Sequence, residues 1–143
     1  MTTDLRAEVE AANTALYEAL ESADAQRMAA LWDESEPDAV VCVHPGWPML
    51  RGRSHVLRSF SAIMANTPYI QFFLTDVQVH VEGSDLGAAA IVTCTENILT
   101  AVTETDSAAQ TVSTNVFRRR ADGWRLQVHH GSPVMGTLEE IDE

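Results

Sequence analysis

The sequence predicts an α+β fold in which three helices precede a mostly antiparallel sheet. Apolar residues recur at helical spacing in three segments of the first half of the chain. From Phe73 onward they alternate with polar residues, as they do in strands. Turn signals such as Asp122-Gly123 separate the strand-like segments. The expected order is therefore helix, helix, strand, helix and four antiparallel strands.

The three helices are predicted from their apolar faces and their end signals. The first covers residues 4–21, where apolar side chains recur at steps of three and four. A second, short helix follows a cap at Ser22 or Asp24 and ends before Pro37. The third covers residues 53–66. All three lie in the N-terminal half of the chain.

The strands are predicted from the period-two alternation that begins after the helices. An isolated strand, AVVCV, covers residues 39–43, and a hairpin joins residues 73–81 to 86–99. Two further strands cover residues 110–119 and 124–132. In the first strand of the hairpin, one face is expected to carry Phe73, Thr75, Val77, Val79 and Val81.

The composition favours one acidic domain over residues 1–143, with a loosely held acidic tail at 137–143. The chain has 21 acidic residues, nine arginines and no lysine, for a net charge of −12. This charge argues against nucleic acid and against an anionic membrane surface as partners. No signal-peptide pattern or membrane-length apolar segment is present in the sequence. We therefore expect a cytoplasmic protein, with Cys42 and Cys94 as buried free thiols.

The helices can cover only one face of a long sheet, so the other face is expected to meet a partner. A homodimer through this outer sheet face is the simplest solution, with Arg125, Gln127 and His129 on it. The arginines at 118–120 are expected to be a solvated strand end or to form interface ion pairs.

Four segments, taken in order, resemble a known family. They are YEALESADAQRMAALW, HPGW, RGRSHVLRSF and TNVFRRRADGWRLQVHHGSP. The chain resembles SnoaL-like domains of the nuclear transport factor 2-like and ketosteroid isomerase-like superfamily. The resemblance implies a cone-shaped, curved sheet wrapped around the helices, with an internal pocket. It also implies either an isomerase, dehydratase, cyclase or epoxide hydrolase, or a non-catalytic carrier or association domain, because this fold supports all of them.

The resemblance assigns roles to two polar residues. His44, which directly precedes Pro45, matches the position of the aspartate base in ketosteroid isomerase, and an imidazole can replace that base because its ordinary pKa is about 6.5. Asn115 falls at or near the isomerase residue that donates to the oxyanion, and an amide can donate there. The isomerase tyrosine falls on Leu16, with Tyr17 one residue away, which counts against steroid isomerisation.

Strand alternation places the remaining candidates. His129 and His130 must face opposite sides of the last strand. Because His130 continues the apolar row of Leu126 and Val128, we expect it inside the cone, either as a site residue or as a core imidazole. Glu96 ends an apolar row of its strand, so it either pairs with an imidazole or arginine in the pocket or reaches water at the rim.

These residues define the expected site. The catalytic group comprises His44 as acid/base, Asn115 as donor, and His130 with Glu96 as polar supports. Three further residues are expected to contact substrate: Trp47 as a lid, Tyr17 and Phe117. His44, His130 and Glu96 could also form a metal set, but no HxH or HExxH spacing supports it, and neither a metal nor a cofactor is expected.

Two functions remain open from the sequence. The first is a cofactor-free acid/base enzyme of the isomerase, lyase or hydrolase type that acts on a small hydrophobic or polyketide-like molecule. The second is a non-catalytic ligand-binding or association module. An accessible cavity surrounded by convergent polar groups would favour the first function, and a plugged cone would favour the second.

Overall fold

The computed structural model describes residues 4–100 and 108–135. Its helices are α1 (Leu5–Glu21), α2 (Ala25–Leu31) and α3 (Arg53–Ala65), with a short 3-10 turn at Pro37–Ala39. The Asp4 and Asp24 carboxylates accept backbone N–H groups at the starts of α1 and α2. The three predicted helices are confirmed. The expected loose tail at 137–143 lies outside the described residues.

Six strands form one curved, mixed sheet that does not close into a barrel. They are β1 (Val41–Val43), β2 (Leu50–Arg51), β3 (Gln71–Glu82), β4 (Ala89–Leu99), β5 (Ala108–Arg120) and β6 (Gly123–Pro133). The order across the sheet is β2-β1-β6-β5-β4-β3, and only β1 and β6 run parallel. The predicted α+β class is confirmed, and the two-residue strand β2 is an addition to it.

A bulge in β3 changes which side chains face the core. Thr75 pairs with Thr95 and Gln78 with Thr93, so two residues lie opposite one on β4, and the bulged Asp76 has a φ of 51°. The alternation reverses across the bulge, so the expectation that Phe73 shares the face of the later valines was wrong. Phe73 is 53% exposed.

A second bulge, in β6, changes the placement of the two adjacent histidines. Val116 pairs with Val128 and Phe117 with Leu126, which leaves Gln127 as the extra residue. The inward row therefore passes from Leu126 to His129. His129 is buried at 5% exposure and His130 is exposed, so the expected placement of these two histidines was wrong.

The hydrophobic core lies between the helices and the concave face of the sheet. Its largest fully buried side chains include Trp32, Phe60 and Phe117, and the first two rings pack with centroids 5.6 Å apart. Cys42 and Cys94 are buried and free, as predicted. None of the described helices is long and apolar enough to cross a membrane.

Arg120 forms an ion pair inside the chain. Its Nε and Nη2 atoms donate to the two carboxylate oxygens of Asp33, each at 2.8 Å, and Asp33 is fully buried. Nη2 also reaches Glu36 at 3.0 Å. The prediction of a solvated strand end or an interface pair was therefore wrong for Arg120, which joins the end of β5 to the segment after α2.

Candidate functional site

A cavity of about 280 Å³ opens between α1, α3, the loop after β1 and the concave face of the sheet. Eight apolar residues line it: Leu20, Pro45, Trp47, Phe60, Ile63, Ile70, Phe72 and Ile98. Among the described residues, four polar ones also line it: Tyr17, His44, Glu96 and His129. A wider groove of about 580 Å³ lies on the outer sheet face. We take the smaller cavity as the candidate site because the buried titratable groups converge there.

His129 is held by a neighbouring amide on β5. Its Nδ1 atom lies 2.5 Å from Oδ1 of Asn115. The amide nitrogen of Asn115 donates to Oδ1 of Asn13 at 2.8 Å and to the Tyr17 hydroxyl at 3.2 Å. Because the oxygen of Asn115 can only accept, Nδ1 of His129 carries the proton. The lone pair is then on Nε2, which has no hydrogen-bond partner among the described residues.

His44 is fixed at the end of β1 by a hydroxyl and by two rings. Its Nε2 atom lies 2.8 Å from Oγ of Ser59, and Ser59 donates its own hydrogen to the Val56 carbonyl at 2.6 Å. Nε2 is therefore the donor and Nδ1 carries the lone pair. Trp47 and Phe60 each contact the imidazole edge-on, with centroids 4.8 Å away. His44 lies across from His129, at a ring distance of 6.5 Å.

Glu96 is buried beside a phenol and a hydroxyl. Oε2 accepts a hydrogen bond from Tyr17 at 2.6 Å and another from Ser113. Both environments that the sequence predicted for Glu96 were wrong. Its partners are neither an imidazole nor an arginine, and it does not lie in water at the rim, because it is only 3% exposed. Its Oε1 atom has no hydrogen-bond partner among the described residues, and Glu96 is one of the residues that line the cavity.

Burial moves the acid and base groups of the cavity toward their neutral forms. It lowers the pKa of His44 to about 4 and, together with the nearby His44 and His130, lowers the pKa of His129 to about 3. Burial also raises the pKa of Glu96, although hydrogen bonds from Ser113 and Tyr17 act in the opposite direction. The site therefore combines neutral imidazole bases with a carboxyl group that burial favours as the acid form.

The structure brings together four of the predicted site residues: His44, Glu96, Tyr17 and Trp47. Trp47 is 44% exposed and contacts His44.

Three other predicted residues lie elsewhere. Asn115 is fully buried and reaches the cavity only through Tyr17 and His129, so its amide is not free to donate to a substrate. Phe117 lies in the hydrophobic core, and His130 lines the groove on the outer sheet face. The metal set of His44, His130 and Glu96 is therefore not assembled. No cluster of three metal-ligating side chains occurs within residues 4–100 and 108–135.

Sequence reasoning missed four residues of the site: Asn13, Ser59, Ser113 and His129. Asn13 lies four residues after Val9 on the apolar face of α1, and a buried amide on such a face is a usable signal. Ser113 shares a strand face with Asn115 and was accessible to the same alternation argument. Ser59 reaches the site through tertiary packing, and His129 faces inward because of the β6 bulge.

This fold of three helices and an open sheet is similar to that of solved nuclear transport factor 2-like proteins. The chain belongs to the SnoaL-like domain family, whose model matches residues 9–136. The resemblance stated from the sequence is thus confirmed. None of the curated proteins matches the chain.

Solved structures agree with this family. A candidate dehydratase of the same class from Streptomyces avermitilis is 51% identical, with a TM-score of 0.83 over 92% of this chain and 96% of that one. A candidate calcium/calmodulin-dependent protein kinase type II association domain from Thiobacillus denitrificans is 32% identical, with a TM-score of 0.71 over 88% and 94%. A ketosteroid isomerase-like protein from Erwinia carotovora atroseptica, 19% identical, shares the fold with a TM-score of 0.69 over 94% and 100%.

Proposed function

We propose that this protein is a cofactor-free lyase of the dehydratase type that acts on a small, uncharged, mainly apolar molecule. One observation carries the proposal: an unprotonated nitrogen of His129 and an unpaired oxygen of Glu96 belong to residues that line the same apolar cavity. The candidate dehydratase from Streptomyces avermitilis, at 51% identity, supports the same reaction class.

The proposed reaction transfers one proton at each end of an elimination. Nε2 of His129 takes a proton from the carbon beside a carbonyl group, and a carbon–carbon double bond forms. The bond between the next carbon and its hydroxyl oxygen breaks, and that oxygen leaves as water with a proton from the Glu96 carboxyl. The His44 imidazole lines the same cavity and orients the substrate beside these two groups. The proton on His129 returns to Glu96 through the released water, which restores both groups.

The lining of the cavity supports an uncharged substrate. Eight of its twelve lining residues are apolar, none is an arginine, and the chain has no lysine. Burial keeps both imidazoles neutral at neutral pH, so no cation would compensate a buried carboxylate or phosphate. The volume of about 280 Å³ is near the lower end of ligand cavities, which are roughly 300–1,000 Å³, and therefore favours a compact molecule.

The experiment uses a matched pair of probes. The aldol adduct of benzaldehyde and acetone is an uncharged β-hydroxyketone whose dehydration to benzalacetone is followed by absorbance. β-Hydroxy-β-phenylpropanoate has a similar shape and carries a carboxylate. We expect dehydration of the ketone alone. Benzylacetone, which has no leaving group, should exchange its α-protons in D₂O. The comparison is with the His44→Gln/His129→Gln double variant. If the wild-type protein dehydrates the ketone and exchanges α-protons no faster than this variant, the enzyme hypothesis is wrong and the binding module remains.

A second candidate activity, self-association, has its own observation. The outer sheet face exposes Ile91 and Val112 at 39% and 48%, and Val112 lines a groove there together with Val128 and His130. The related association domain from Thiobacillus denitrificans favours the same activity. We propose a homodimer through this face, which leaves the cavity on the opposite face available for chemistry.

A further inference from the structure

We infer that Asn13 is a positioning residue that acts through Asn115 to set the tautomer of His129. The inference rests on the proposed function, in which Nε2 of His129 is the base. Asn13 does not line the cavity, and nothing in the sequence motifs assigns it a role. Its contacts nevertheless form a continuous chain from α1 to the imidazole: Oδ1 of Asn13 to the Asn115 amide nitrogen, and Oδ1 of Asn115 to Nδ1 of His129.

The two amides hold each other in one orientation. Asn13 is 1% exposed and Asn115 is fully buried, so no solvent competes for their hydrogen bonds. Burial raises the pKa of the nearby Cys94 thiol, and the Asn13 side chain acts on that pKa in the opposite direction. With the Asn13 oxygen facing Asn115, the amide nitrogen of Asn115 must point toward α1. The oxygen of Asn115 is then the only atom left to face His129.

Reversal of the Asn115 amide would remove the base. If its nitrogen faced His129, Nδ1 would have to accept a hydrogen bond and the imidazole proton would move to Nε2. An imidazole protonated at Nε2 cannot take a proton from a substrate in the cavity. The oxygen of Asn13 disfavours this reversal, because the reversed amide would place two oxygens against each other. Asn13 therefore acts on the site without contact with the substrate, and the Tyr17 hydroxyl, which accepts from the same Asn115 nitrogen, supports the same orientation.

The test reads the tautomer directly by long-range ¹⁵N–¹H spectroscopy of the histidine side chains in the full chain, without ligand. We expect wild-type His129 to carry its proton on Nδ1. Asn13→Leu, which has a similar volume and no acceptor, should populate the Nε2-protonated form. The matched control Ser59→Ala removes the partner of the other cavity histidine and should leave the His129 proton on Nδ1. A wild-type His129 protonated on Nε2 would overturn the inference even if the variant fails to fold.

A kinetic measurement separates this role from a structural one. In Asn13→Leu, the rate constant for α-proton exchange of bound benzylacetone should fall in proportion to the Nε2-protonated fraction, with KM unchanged. An unchanged tautomer in a folded Asn13→Leu variant, or an unchanged rate constant despite a changed tautomer, would contradict the inference. The proposed function fails separately, if His129→Gln keeps full exchange activity while the wild-type tautomer is as inferred.

Discussion

Nδ1 of His129 lies 2.5 Å from Oδ1 of Asn115, inside a region from which solvent is excluded. This contact depends on the β6 bulge, which turns His129 inward, and it sets which ring nitrogen of His129 carries the proton. The imidazole is neutral in the folded chain, and burial lowers its pKa to about 3. The first prediction concerns the stability that depends on this neutral form.

Acid should destabilise the wild-type protein more than His129→Gln. The pKa of His129 is lower in the folded chain than its ordinary value of 6.5, so the folded state binds fewer protons. The contribution of neutral His129 to the unfolding free energy is therefore complete above pH 6.5. It is lost as the pH falls toward the pKa that His129 has in the folded chain. Between pH 7 and pH 5, wild type should lose about 2 kcal/mol more unfolding free energy than the variant.

Urea denaturation at the two pH values measures this difference. Glu96 acts in the opposite direction because its pKa is raised, but it is present in both proteins and cancels in the comparison. His80→Gln removes an exposed histidine and is the matched control, which should keep the wild-type loss. Equal losses in wild type and His129→Gln would show that His129 is not held neutral.

Arg120→Met should destabilise the fold by about 3–5 kcal/mol, because it leaves the carboxylate of Asp33 buried without its partner. Arg27→Met is the matched control. It breaks an ion pair with Glu18 whose side chains are 44% and 51% exposed, and it should cost at most about 1 kcal/mol. Thermal or urea unfolding compares the two variants. Equal costs would contradict a structural role for the buried pair.

Gly131→Ala should disturb the positions of the two cavity histidines. A Cβ atom at this residue would lie 3.1 Å from Cγ of Pro45 and 3.2 Å from Cγ2 of Thr111, so it is crowded from both sides. We expect a loss of about 1–3 kcal/mol in unfolding free energy and a displacement of His44, which precedes Pro45. A crystal structure measures the displacement. Ser132→Ala, at the exposed neighbouring residue, is the control. It should change neither the unfolding free energy nor the position of His44.

Val112→Arg should convert a dimer into a monomer, because it places a charge in the apolar part of the outer sheet face. Light scattering at micromolar concentration measures the mass, and the wild type should give twice the 15.7 kDa of one chain. Leu86→Arg, at a residue that is 69% exposed and outside the strands, is the control and should remain dimeric. A wild-type mass of one chain would refute the proposed interface.

The fold could be predicted from the sequence because its signals are local. Helical spacing, caps and the Asp122-Gly123 turn depend on neighbours in the chain, and the predicted helices and strands agree with the structure. The family resemblance supplied the rest of the architecture, and the family match confirms it.

The site was predicted only in part, because strand alternation assumes an unbroken pairing register. Glu96 lies on a regular strand, and alternation placed it on the inward face correctly. His129 and His130 follow a bulge, and one extra residue exchanged their faces. The sequence around Gln127 contains no pattern that predicts this bulge. Asn115 was correctly placed on the inward face, but its role depends on Asn13, which comes from a helix 102 positions away in the chain.

Nε2 of His129 is proposed as the base of an acid–base site, and the exchange of the α-protons of benzylacetone in D₂O tests this role. NMR follows the exchange, with wild type and His129→Gln compared at equal concentration. We expect exchange above the buffer rate for wild type and a loss of about 10²–10⁴-fold in the variant. His130→Gln, on the opposite sheet face, should exchange at the wild-type rate. Equal exchange by wild type and His129→Gln would contradict the claim.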